Sequence, residues 1–157
     1  MHEQEGAIRQ ALVDRFGFME DKCQVTRERR LFGEAPRDKV LDVIGFLKDE
    51  QGFQSLCTMT GLDSGDNWEI IYHLARGGIM MNLKAFAPKD DPVFATVTGL
   101  YEGATMYELE IHNLLGVTIT GIPGDIKYPL PDDWPEGQYP LRKDWKKQAP
   151  AQPGEGS

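Results

Sequence analysis

The chain has 157 residues, with 25 Asp and Glu against 17 Lys and Arg, a net charge of −8, 40% hydrophobic and 27% charged residues. That length suits one domain with a real core and is short for two, and the balance is that of a globular protein, not a disordered one. The negative sign without a basic stripe excludes a general nucleic-acid or acidic-membrane binder, which needs cations to release counterions.

The opening Met1–Glu5 is polar, and no apolar core with a small-residue cleavage site follows it, so no secretory leader is expected. No apolar run approaches the roughly 18 residues that a spanning helix needs. The expectation is a cytoplasmic chain, or one lying on a cytoplasmic face. Residues 7–19, AIRQALVDRFGFM, space Ile8, Leu12, Val13 and Phe16 along one helical face. Next, CQVTRERRLF alternates loosely and reads as a weak strand. In PRDKVLDVIGFLKDEQGF, Pro36 suits a first helical turn, Val40, Leu41, Ile44 and Leu47 recur at helical spacing, and Gly52 is placed to stop the helix.

Three strand candidates follow at 54–61, 67–75 and 79–87, separated by LDSGD and RGG. Gaps this short predict antiparallel neighbours, since parallel pairing needs a long crossover. PKDDP breaks the pattern, and VFATVTGLY supplies one more extended piece. Residues 102–115, EGATMYELEIHNLL, give the clearest helix, with Gly116 where a left-handed cap belongs. Tyr107, Ile111, Leu114 and Leu115 form its apolar arc, with Glu108 and Glu110 just outside opposite edges.

Those two carboxylates diverge by about 160° at ~100° per residue, so they do not converge on one substrate as an acid–base pair must. Structural ion pairs with Arg or Lys at the helix boundary are the expected role. His73 and His112 lack any dense ligand spacing with Asp63, Asp66 or Glu108, and an i,i+4 hydrogen bond to Glu108 accounts for His112. There is no phosphate loop and no nucleophile elbow. Cys23 and Cys57 stand apart from any C-x-x-C pair, so the chain cannot hold a four-cysteine iron–sulfur cluster alone. Both are expected as buried, reduced thiols.

The segment PLPDDWPEGQYPLRKDW, 129–145, is the oddest stretch. Its prolines forbid a continuous helix and a central strand, yet Trp134, Tyr139 and Trp145 are costly to leave in water. An extended arm with preset φ loses little entropy on docking and offers those rings as anchors, with Arg142, Lys143 and Asp144 as a polar rim. The residues predict an α+β fold: a small, mostly antiparallel sheet packed with helices over 1–122, an extended proline-rich docking arm over 123–146 and a flexible tail over 147–157.

LEIHNLLGVTITGIPGDIKYPLPDDW, with the preceding Tyr107-Glu108, resembles the signature of the 30 kDa subunit of complex I (NADH:quinone oxidoreductase), and of the related subunit of membrane-bound energy-converting nickel–iron hydrogenases. That family's pattern runs E-R-E-x-x-D-[LM]-[FY]-G, G-H-P, a basic pair, L-P-D-D-W, then G-[HY]-P-L-R-K-D-[YFW]. Glu108 and Glu110, Leu114-Leu115-Gly116, Gly121, Pro123, Lys127, Leu130 through Trp134 and Gly137 through Trp145 match it, and the likeness spans about 53–146. Leu109, Met106, Asn113 and Ile122 depart from it, standing where the family has arginine, often tryptophan, aspartate and histidine.

The resemblance implies a non-catalytic subunit that binds no cofactor. Its arm would wrap a large catalytic subunit holding a nickel–iron centre or a quinone, beside iron–sulfur subunits, with membrane association only through the complex, on its cytoplasmic face. Short length and the departures lean to the hydrogenase branch. The interface residues implied are Glu108, Glu110, Pro131, Asp132, Asp133, Trp134, Tyr139, Pro140, Leu141, Arg142, Lys143 and Asp144. A stand-alone metal-dependent enzyme and an adaptor presenting a proline-rich arm are the alternatives.

Overall fold

The computed structural model describes residues 2–123 and 125–147. In chain order the elements are helix α1 (Glu3–Arg15), strands β1 (Cys23–Arg27) and β2 (Arg30–Glu34), helix α2 (Val40–Asp49), and strands β3 (Ser55–Asp63), β4 (Asn67–Arg76), β5 (Ile79–Pro88) and β6 (Val93–Ala95). Helix α3 (Ala104–Leu115) and strand β7 (Thr118–Thr120) follow. One five-stranded sheet runs in the order β1-β2-β5-β4-β3, and β6 and β7 form a separate pair.

The sheet is built on its central hairpin. In β4, Trp68, Ile70, Tyr72 and Leu74 alternate inward, and in β5 Ile79, Met81, Leu83, Ala85 and Ala87 do the same, the two-residue period of a sheet with one buried face. The turn between them uses Gly77 and Gly78, both at positive φ (52° and 84°), the backbone that a tight two-residue hairpin demands. The inward face joins Ile8 and Leu12 of α1, Val43, Ile44 and Leu47 of α2, and Ile111 and Leu115 of α3 in one core. Truncating a core leucine such as Leu12 or Leu47 to alanine costs about 2–5 kcal/mol on this account. Helix α3 lies directly on β3, where a Cβ on Gly61 would come within 2.7 Å of Leu115 Cδ1.

Several expectations are refined. The α+β class stands, and pairs β1–β2, β3–β4 and β4–β5 are antiparallel. The sheet is mixed, however, because β2 runs parallel to β5, Arg30 opposite Met80 through Glu34 opposite Lys84. Helix α2, β3 and β4 supply the long crossover that a parallel pair requires. The single weak strand at 23–32 is a hairpin of two, with Arg29 in the left-handed region (φ 60°) at its tip. VFATVTGLY contributes only β6, which pairs in parallel with β7. Cys23 is buried as expected, but Cys57 is exposed, at a register shift of the edge strand between Leu56 and Thr58. Residues 125–147 hold neither helix nor strand and pass through a series of turns. No helix among the described residues is long and apolar enough to cross a membrane.

Candidate docking site

Helix α3 bears the contacts of the site on both of its sides. Its buried side chains are Ala104, Glu108, Leu109, Ile111 and Leu115. Positions 104, 108, 111 and 115 form one i, i+4, i+7 stripe, so Glu108 lies inside the buried face, not just outside an arc of Tyr107, Ile111, Leu114 and Leu115. The carboxylate is fully buried. Its Oε1 accepts the Val97 N–H at 2.7 Å and its Oε2 accepts the Thr96 hydroxyl at 2.6 Å. Burial pushes the Glu108 carboxyl above its ordinary range, against the opposing pull of those two hydrogen bonds. The Tyr72 phenol is also pushed up, first by its own burial and then by the charge on Glu108.

The expected basic partner of Glu108 is therefore replaced by a hydroxyl and a backbone amide. Among the described residues no Lys or Arg forms an ion pair with it. The anticipated Glu108–His112 bond is absent too: His112 Nδ1 lies 2.7 Å from the Val117 carbonyl. Glu108 thus ties the loop after β6 to α3. Glu110, two residues on, faces solvent.

The outer side of α3 meets the C-terminal segment. Asn113 Nδ2 lies 2.9 Å from each of the carbonyls of Leu109, Ile126 and Tyr128. Lys127 Nζ donates to the carbonyls of Asp132 at 3.1 Å and Trp134 at 3.2 Å, and the Trp134 N–H donates to Pro131 O at 2.9 Å. Trp134 and Trp145 stack with centroids 6.2 Å apart and planes 29° from parallel. Gln138 holds both indoles: its backbone carbonyl accepts Trp134 Nε1–H at 2.9 Å, and its side-chain Oε1 accepts Trp145 Nε1–H at 3.1 Å. Trp134, Pro135, Gln138, Trp145 and Lys147 line a shallow, mostly apolar cleft of about 200 Å³.

Of the residues singled out in the sequence, Pro131, Asp132, Asp133, Leu141, Lys143 and Asp144 are exposed, and Trp134, Tyr139, Pro140 and Arg142 are half-buried. Tyr139, Leu141, Arg142 and Lys143 lie against the chain's own domain. The Leu141 N–H donates to Leu114 O at 3.0 Å, Arg142 Nε donates to Leu115 O at 2.6 Å, and the Lys143 N–H donates to Asp63 Oδ2 at 3.0 Å. Sequence reasoning missed Asp63, Trp68 and Asn113 as partners of this segment, and Gln138 as the residue that holds its two indoles. Only the neighbouring Asp63-x-Gly65 turn carried a local signal, and it spoke of the turn, not of the distant strand of chain it holds.

The histidines are tied up elsewhere. His73 Nε2 lies 2.8 Å from Thr60 Oγ1, and its Nδ1 lies 2.7 Å from Asn82 Oδ1. Among the described residues no group of three or more His, Cys, Asp or Glu side chains is placed to hold a metal ion.

A mixed five-stranded sheet backed by helices, followed by a turn-rich C-terminal segment, defines an α+β domain. The chain belongs to the respiratory-chain NADH dehydrogenase 30 Kd subunit family, whose profile matches residues 34–151. It is 31% identical over 143 residues to the corresponding subunit of the F(420)H(2) dehydrogenase of Methanosarcina mazei, covering 88% of this chain and 90% of that one. It is 32% identical over 114 residues to the corresponding subunit of the NADH-quinone oxidoreductase of a Roseiflexus species, covering 68% of this chain and 64% of the relative. A chain in the solved structure of a membrane-bound sulfane sulfur reductase, an archaeal respiratory membrane complex, superposes with a TM-score of 0.79 at 30% identity, over 90% of this chain and 85% of that one. A trypsin-resistant fragment of Nqo5 shares the fold, with a TM-score of 0.62 at 22% identity over 73% of this chain and 96% of the fragment.

Proposed function

We propose that this chain is a non-catalytic subunit in the peripheral part of a complex-I-like, membrane-bound redox complex, on the cytoplasmic face of the membrane. Its task is to dock and steady the large catalytic subunit and the neighbouring iron–sulfur subunits. The observation that carries this reading is the family relationship over most of the chain, with relatives named as subunits of such complexes. Redox groups, whether iron–sulfur clusters, quinone or a nickel–iron centre, reside in the partners on this reading, and the chain itself binds none.

The proposed contact surface is the outer side of α3 at Glu110 together with Pro131, Asp132, Asp133, Trp134, Pro140, Leu141 and Asp144. Tyr139, Arg142 and Lys143 shape it from beneath. Glu108 contributes from within, by fixing how α3 sits. The lean to a nickel–iron hydrogenase is the finer question. Similarity over most of both chains to the F(420)H(2) dehydrogenase subunit and to the sulfane sulfur reductase chain supports a complex-I-like redox complex of either of those kinds as a branch beside the hydrogenase one.

Gentle solubilisation of host membranes with this chain tagged, followed by mass spectrometry of what co-purifies, tests the reading. A large subunit with small iron–sulfur proteins is the expected result, and the identity of the large subunit decides the branch. Trp134→Ala combined with Arg142→Ala should lower the yield of intact complex while the domain stays folded. A chain recovered alone overturns the scaffold role.

A further inference from the structure

We propose that residues 139–143 form a self-clamped strap, with Trp68 as its seat and Asp63 as its pin, which fixes the C-terminal segment on its own domain before any partner binds. Five separate stretches of chain converge to make the clamp. The guanidinium carbon of Arg142 lies 4.4 Å from the centroid of Tyr139 and 4.9 Å from that of Trp68, within the range of cation–π attraction. Arg142 also donates to Leu115 O at 2.6 Å and to Gly116 O at 3.4 Å. These carbonyls end α3, where backbone acceptors lack helical partners and the negative end of the dipole favours a cation.

Gly116 makes the room. At φ 73° it closes the helix, and a Cβ there would lie 2.5 Å from Arg142 Nη2 and 2.6 Å from the Tyr139 ring. The pin sits on the other side of the seat. Asp63 pairs with Lys89 through Oδ1, which also accepts the Gly65 N–H at 3.0 Å, while Oδ2 accepts the Lys143 N–H. Lys89 in turn stands 3.3 Å from the centroid of Trp68. Trp68 is nearly buried, and its indole N–H has no hydrogen-bond partner among the described residues. Its ring is engaged by two cations instead. A strap ordered in advance spares a partner the entropy of ordering it, and it leaves the Trp134–Trp145 side facing outward.

The inference concerns the free chain and does not depend on which complex the chain joins. Hydrogen exchange of the full-length chain at neutral pH tests it without any partner, so its failure is distinct from failure of the assembly reading. In the wild type, the Leu141 and Lys143 amides should exchange at least tenfold more slowly than free-peptide rates. Arg142→Ala removes the guanidinium that bonds Leu115 O and Gly116 O and faces Trp68 and Tyr139. It should speed both amides about tenfold or more while the amides of Tyr72 and Leu83 stay protected. Asp63→Asn should do the same at Lys143, because an amide side chain offers one oxygen where the pin uses two. Free-peptide exchange in the wild type, or unchanged protection of both amides in Arg142→Ala, overturns the strap.

Discussion

Replacing Glu108 separates a structural carboxylate from an interface one. Glu108→Ala strands the Val97 N–H and the Thr96 hydroxyl, which Glu108 receives at 2.7 and 2.6 Å. Each buried polar group left without a partner costs about 1–3 kcal/mol. Thr96 has a second hydroxyl, Thr98 Oγ1, at 2.8 Å, so part of its loss is recovered; the buried Val97 amide has no such alternative. The expected cost is about 2–4 kcal/mol on these grounds. Glu108→Gln keeps an acceptor for Val97 and places an amide against Thr96 Oγ1, whose own proton is free to turn to Thr98. It should cost about 1 kcal/mol or less on the same grounds. The pH dependence adds a second signature. Burial raises the folded-state value of Glu108 above that of the unfolded chain, so its favourable contribution is complete below the unfolded value, about 4.3, and fades as pH rises through the folded one. Glu108→Gln should flatten that part of the profile. Urea unfolding at several pH values measures all three quantities. An alanine variant costing under about 1 kcal/mol, or a glutamine variant as unstable as the alanine one, would refute a buried, bond-holding role.

Gly61→Val should lower stability by about 1–3 kcal/mol, because a Cβ there meets Leu115 at 2.7 Å and Ile111 at 3.0 Å inside the α3–β3 contact; an unchanged urea midpoint would speak against that packing. A thiol reagent should label the exposed Cys57 in the native chain and reach Cys23 only on unfolding, since Cys23 is buried and its thiol is pushed up to about 11 by that burial, against the opposing charge of Arg9. Equal labelling rates for the two thiols would contradict the placement. Asp63 behaves oppositely to Glu108 with pH. Although its desolvation acts upward, Lys89 and the N–H groups of Lys143 and Gly65 outweigh it and hold the carboxyl at about 2. Its contribution is therefore full above an unfolded value of about 3.9 and lost as pH falls from there toward 2. The near-ultraviolet signal of the tryptophans should change over that acid window in the wild type and not in Asp63→Asn.

What the sequence disclosed was local. The β4–β5 hairpin followed from alternation over 67–75 and 79–87 and from two adjacent glycines, and the end of α3 from Gly116, whose φ of 73° is a backbone preference written into one residue. Family membership was legible for a similar reason, since Leu130 through Trp134 and Gly137 through Trp145 are contiguous. The parallel pairing of β2 with β5 was not, because alternation along a strand says which face is buried and nothing about which strand lies beside it. Glu108 was misplaced because its burial depends on Thr96 and Val97, which belong to a loop with no periodicity to read. The pin at Asp63 joins residues 80 positions apart, beyond the reach of any spacing rule.

Helix α3 links the two kinds of site. Glu108 fixes its inner side to the loop after β6, Asn113 holds the backbone at Ile126 and Tyr128 on its outer side, and the carbonyls from Leu114 to Gly116 receive Leu141 and Arg142. The helix packs on β3 at Gly61 and its C-terminal carbonyls are the strap's acceptors, so a displacement of its buried stripe moves those acceptors too. Packed interiors transmit such strain. The buried carboxylate fixes the helix to the loop after β6, and the half-buried Trp134 and Trp145 line the aromatic cleft of the segment held along its outer side.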